Sequence, residues 1–205
     1  MHRAILGVLS LCGMLLSGAP VETVLLDKIL AVANGEVLTL QDFEDHLALR
    51  RVFQPGAVEV DRDGAFQRFV DQTLIRQEAL RTRIVEVEDA EVTQQLHALE
   101  QQPARREELA KLIQERGLSL NQVRTWLRQQ LMVQAFIDRR IRLFVRVSDG
   151  QINQYYQQHQ QAIGAPFSDA VREQIRRLLI EQQVNMRLTD VVEELRRKGN
   201  LDFPP

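Results

Sequence analysis

One short phrase recurs along this chain and constrains its fold more than any other feature. "RIVEVEDAEVTQQLH" begins at Arg83 and "LFVRVSDGQINQYYQQH" at Leu143, and each places a Val-x-Val ahead of a polar position with Glu or Gln three residues later. In "VSDGQ" the Ser148 hydroxyl can accept from the backbone N–H three residues on while Gln151 reaches back. This reciprocal capping box satisfies two donors that a helix start otherwise leaves without partners. "VEDAE" repeats it with Glu88 and Glu91. Glu88 is the poorer cap, but Asp89 adds negative charge where the helix dipole favours it. A third box pairs Ser119 with Gln122 in "LSLNQV". Three such starts predict a mainly α fold.

The apolar pattern agrees. Thr39 and Asp42 are placed to cap a first helix with Leu40, Phe43 and Leu47 on its inner face. A second helix, over about residues 64–82, carries Phe66, Phe69, Val70 and Leu74 at three-and-four spacing. "QPGAVEVDRDG" between them reads as a loop. The last helix, over about residues 169–198, shows a stripe of Val171, Ile175, Leu178, Gln182 and Met186 that continues through Leu188, Val192 and Leu195. Such a stripe needs a partner to bury against. Gly199 marks its end, and "NLDF" suits a short strand. The firm strand signal is "ILAVANGEVLT": Asn34 and Gly35 tolerate the positive φ angles of a two-residue turn, which places one small hairpin near residues 29–39.

Residues 1–19 read as a signal peptide. His2 and Arg3 precede an apolar run over residues 4–16, and Ser17-Gly18-Ala19 has small-x-small spacing. The run falls short of the ~20 residues that span a bilayer comfortably. Pro20 is a poor residue to follow a cut, which leaves open cleavage elsewhere or retention as an N-terminal anchor. The single cysteine, Cys12, lies inside the run after Leu11, where a lipid-attachment box would want a small residue. Removal of the segment would leave no thiol, in keeping with a periplasmic or secreted protein without disulfides. Residues 20–205 then form a single helical domain, and their 25 basic against 28 acidic residues give a net charge of −3. No cationic field recommends a nucleic-acid partner.

Taken in order, these stretches resemble one family. "LDKILAVANGEVLTLQDFEDHL", "FQRFVDQTLIRQEALRTRIVEVEDAEV" and "GLSLNQVRTWLRQQLMVQAFIDRRIRLFVRVSDGQINQYYQQH" are similar to the opening hairpin and helices of SurA-like periplasmic chaperones and parvulin-type foldases. The likeness covers nearly everything after the signal, and its specificity lies in the ordered set. It implies a SurA N-terminal-domain-like helical fold whose long C-terminal helix packs back on the helices before it. In full-length relatives a parvulin isomerase domain is inserted after the helix matching "INQYYQQH". Here a linker of only eleven residues, 157–167, stands at that point, and a domain needs ~50 residues or more. The isomerase and its catalytic residues are therefore expected to be missing.

Other chemistry is also not expected. His2, His46, His97 and His159 are scattered without metal-ligand spacing, and no phosphate loop or nucleophile elbow is present. Acidic residues alternate with arginines along helices as solvated faces do. The sequence points to no enzyme, catalytic residue, metal or cofactor. The resemblance implies an ATP-independent chaperone that holds unfolded or nascent secretory and outer-membrane proteins. Candidate peptide-binding residues are Trp126, Phe136, Phe144, Tyr155 and Tyr156, whose helical spacing also suits an ordinary core role. Tyr155 and Tyr156 point about 100° apart on a helix, so at least one of them is expected to reach a groove or the surface. Two alternatives stand beside this one. One is an envelope adaptor with one dedicated partner. The other is a DNA-binding helix-turn-helix in "IQERGLSLNQVRTWLRQQL", with Arg124 and Arg128 on its second helix.

Overall fold

A computed structural model describes residues 27–56 and 61–204. The expected signal peptide, with Cys12 and Pro20, lies outside the described residues, as does the centre of the loop after the first helix. The chain is mainly helical with a small antiparallel sheet. Strands β1 (Ile29–Ala33) and β2 (Glu36–Thr39) flank Asn34 and Gly35, whose φ angles of 51° and 86° build the expected tight turn. Helices follow as α1 (Leu40–Phe53), α2 (Arg62–Thr82), α3 (Asp89–Glu100), α4 (Pro103–Arg116), α5 (Leu120–Arg140), α6 (Asp149–Ile163) and α7 (Asp169–Lys198), with a 3-10 turn at Arg142–Phe144 and a last strand, β3 (Leu201–Asp202).

The helix starts are those the capping chemistry dictates. Thr39, Ser119 and Ser148 each accept from the N–H three residues on, at 3.1, 3.2 and 3.3 Å, while Asp42, Gln122 and Gln151 reach back to the cap N–H. At α3, Glu91 accepts from the Glu88 N–H at 3.3 Å. The tertiary structure supplies the other half of the repeated phrase. Val85 is buried in a cluster with Ile75, Ala79, Val133 and Phe136, and Val87 packs against it and against the neighbouring cluster around Val92 and Trp126. In the second copy Val145 is buried with Ile141 and Val184, and Val147 packs on the cluster of Ile152, Val171 and Ile175. Residues two apart in extended backbone point to the same side, so both valines of each Val-x-Val turn inward. The advance of the chain between them carries the second to the next core cluster just before a new helix begins.

Helix α7 returns to the start of the chain. Leu188, Val191, Val192 and Leu195 pack on the α2 and α5 residues around Phe136, and Arg196 donates to Asp71 at 2.6 Å. Beyond it, β3 pairs with β1 to give the strand order β2-β1-β3. Asn34 holds this closure: its N–H donates to Asn200 C=O at 2.8 Å, its side-chain oxygen accepts from Asn200 N–H at 2.8 Å, and its amide donates to Gln77 at 2.8 Å. Gly199 is required here, since a Cβ would stand 2.9 Å from the Leu195 carbonyl oxygen.

Three expectations are corrected. The linker at residues 157–167 is mostly helix, because α6 runs to Ile163 through a local distortion at His159 and stops at Gly164 in the left-handed region. Glutamines sustain a helix well, and Gly164 is the first residue suited to end it. On α1 the buried positions are Phe43, His46, Leu49 and Val52, while Leu40 and Leu47 are only half-buried. On α7 the stripe through Leu178, Gln182 and Met186 is not continuously buried: Leu178 is 42% and Met186 61% exposed. The inner positions are Val171 and Ile175, and then Val184 with Leu188, Val191 and Leu195. The thirteen residues from Val171 to Val184 turn the helix by roughly 220° beyond whole turns, so α7 buries opposite sides in its two halves.

Candidate binding groove

A groove of about 390 Å³ opens between β2, α1, α2 and α5. The strict alternation of β2 turns Leu38 into the core and leaves Val37 outside, 47% exposed, at one wall. The i, i+3, i+4 pattern of α5 buries Val123, Trp126 and Leu127 and sends Gln122, Thr125 and Gln129 to the opposite wall. His46 and Phe69, with ring centroids 5.0 Å apart, line it beside Trp126.

The pair of His46 and Trp126 is the most defined polar feature of this site. The indole N–H donates to His46 Nδ1 at 3.2 Å. An imidazole nitrogen that accepts carries no proton, so the neutral ring bears its proton on Nε2. Burial, aided by the charge of Arg50, lowers the His46 pKa to about 4. The ring is thus neutral at physiological pH. Burial also raises the Asp45 carboxyl above its ordinary value, opposed by its contact with Arg116. Arg76 closes on Glu36 at the groove edge.

The five candidate aromatics divide between core and surface. Phe136 is fully buried among Ile75, Ala79, Val85 and Val133, where it supports α7. Trp126 belongs to the core and also reaches the groove. Tyr156 donates its hydroxyl to Ala165 C=O at 2.9 Å and packs on Phe167, which closes the α6–α7 corner. Tyr155 stacks on His159 at 4.1 Å between centroids. Phe144 alone is largely free, 65% exposed beside Leu143 at 61%. The five do not form one surface. The residues the sequence reading missed are His46 and the amide wall of Gln122 and Gln129; the signal available was the histidine on the apolar face of α1.

A larger cavity of about 1000 Å³ lies where the hairpin, α2, α5 and the end of α7 meet. Its charges answer one another: Arg81 closes on Glu78, and Lys198 on Glu194. The helix-turn-helix is present as α4, Gly117 and α5, but α5 is a central helix, and Arg124 donates to Thr93 at 2.9 Å while Arg128 pairs with Asp89. Both arginines are turned into α3, because α3 packs along the same stretch of α5 that a recognition helix would need to present. Among the described residues no cluster of three metal-ligating side chains occurs, and no helix is long and apolar enough to cross a membrane. No protein-family model matches the chain, and no curated protein matches it.

Proposed function

We propose that this protein is an ATP-independent holdase of the cell envelope, periplasmic or secreted, that binds unfolded secretory or outer-membrane polypeptides. The observation that carries the reading is the open groove floored by Trp126 and walled on one side by the amides of Gln122 and Gln129. An apolar floor beside an amide-bearing wall suits a polypeptide whose side chains vary and whose backbone does not. The resemblance of the chain to SurA-like chaperones points the same way. Residues 164–168 alone join α6 to α7, which leaves no room at that point for an isomerase domain. The protein therefore acts by holding, without prolyl isomerisation.

The test is aggregation of a denatured outer-membrane protein followed by light scattering, with and without the mature protein at stoichiometric amounts and no ATP. Delay that survives moderate salt is expected, because apolar contact is not screened as charge is. Equal aggregation across several clients removes the holdase. Acceleration of cis-trans exchange in a proline peptide above its spontaneous tens to hundreds of seconds contradicts the second half of the reading.

A dedicated adaptor is the second reading, favoured by Leu143 and Phe144. Their 3-10 turn is fixed by Arg142, which pairs with Asp138 and Glu181, and by Arg187, which donates to Phe144 C=O at 3.2 Å. A small apolar patch held this firmly suits one partner. A panel of unrelated unfolded clients separates the two, since an adaptor holds none of them.

A further inference from the structure

We infer that the groove takes its polypeptide as an added β-strand on the free edge of β2, and that the preferred segment is extended, apolar at alternate positions and basic between them. This rests on the polypeptide-binding reading and names how that site would recognise its ligand. In the strand order β2-β1-β3, β2 is an edge. A two-residue turn makes its flanking residues, Ala33 and Glu36, the hydrogen-bonded pair, so the next pair, Val32 with Val37, does not exchange bonds. The other side of β1 obeys the same alternation, since Asn34 N–H bonds to Asn200 and Val32 faces Asp202. The Val37 N–H and C=O therefore point away from β1, toward the side where β2 forms the groove wall.

A strand added there would run ~4.8 Å from β2. Its far side would meet Gln122 and Gln129 on α5, and its carbonyls would meet a donor in His46 Nε2–H, which has no hydrogen-bond partner among the described residues. These are backbone contacts, indifferent to client sequence. Charge supplies the preference. The lining holds Glu36, Asp42 and Asp45; Arg76 is closed on Glu36 and Arg116 on Asp45 at 3.2 Å, which leaves Asp42, held by Thr39 alone, without an ion pair among the described residues. Lys or Arg on the added strand would complement Asp42, whereas acidic segments would be repelled.

The test uses the full chain and three labelled nine-residue peptides in fluorescence anisotropy: alternating Val and Lys, the same peptide N-methylated at alternate residues, and alternating Val and Glu. Binding of the first is expected, weakened at least tenfold by N-methylation on the edge-facing side and several-fold by Glu. N-methylation removes the strand bond and needs no variant protein. Val37→Pro should have the same effect as N-methylation while helicity and melting stay unchanged, because the N–H it removes bonds to nothing within the sheet. Peptide binding that ignores both N-methylation and V37P overturns the strand-addition mode and leaves the holdase reading intact. No binding by any peptide, with client aggregation still delayed, also overturns it; no binding and no delay removes the holdase reading as well. Self-association lost in V37P would assign the edge to a second copy of this chain. Binding gained only after removal of residues 1–26 would assign the groove to that segment. Either outcome overturns the proposal.

Discussion

The body of the molecule and the arm formed by α6 with the first half of α7 are built on different terms. In the body, α5 is packed on several sides by α2, α3 and the 3-10 turn, and rings and aliphatic chains interlock in four linked clusters. In the arm, α6 packs chiefly on α7, and Ile152, Val171 and Ile175 are its only buried residues. The rest of α6 is rich in exposed glutamine. Both regions share α7, roughly 45 Å long at 1.5 Å per residue. One helix serves both because its apolar positions shift from one side to the other near its middle. Depth of burial, rather than helix content, separates the two regions.

Deletion tests this comparison most severely. Removing residues 168 onward strips Leu188, Val191, Val192 and Leu195 from the body together with β3. The expected outcome is aggregation, read by light scattering, because an unpartnered apolar face that size does not stay soluble. A soluble and fully helical truncation would break the claim that α7 completes the body.

Paired substitutions sharpen it. Phe136→Ala should cost about 3–5 kcal/mol and lower the melting temperature of the whole chain, since no nearby group can refill the space. Ile152→Ala, equally buried but in the arm, should cost about 2–4 kcal/mol. Its effect should appear as faster hydrogen exchange in α6 while Trp126 fluorescence stays unchanged. Equal loss of Trp126 signal in both variants would mean that body and arm melt together.

Mild acid should act on the body through His46. The unfolded His46 takes up a proton near pH 6.5, the native ring only near pH 4. Between those values the unfolded state binds more protons, so the stabilisation present above pH 6.5 declines as pH falls and is gone by about pH 4. A shift of that size is worth about 3 kcal/mol. His46→Gln keeps an acceptor for the Trp126 indole and removes the titration, so its stability profile should be flatter over this range. An unchanged profile would show that His46 does not carry the acid sensitivity.

The smallest effect is a gain. Arg83 closes α2 with φ at 53°, a conformation costly for any residue with a Cβ. Arg83→Gly should raise stability by about 0.5 kcal/mol in urea unfolding, the relief being partly offset by the greater freedom of glycine in the unfolded chain. A loss would show that the exposed Arg83 side chain makes a stabilising contact of its own.

How much of this was legible beforehand follows the range of the forces involved. Helix starts at Thr39, Ser119 and Ser148 and the turn at Asn34-Gly35 were determined by the sequence itself, because caps and turns are settled among residues three or four apart. The mainly α class followed from the same local signals. The side on which each apolar residue of α7 would be buried did not, since Leu178 and Met186 are as apolar as Val184 and differ only in what stands opposite them. Tertiary packing likewise decided that Phe136, near the end of α5, is core and that Phe144, in the 3-10 turn that follows, is surface. It also brought His46 within hydrogen-bonding distance of Trp126, eighty residues away in the chain, a contact that no local periodicity encodes because it exists only after α1 and α5 have packed together.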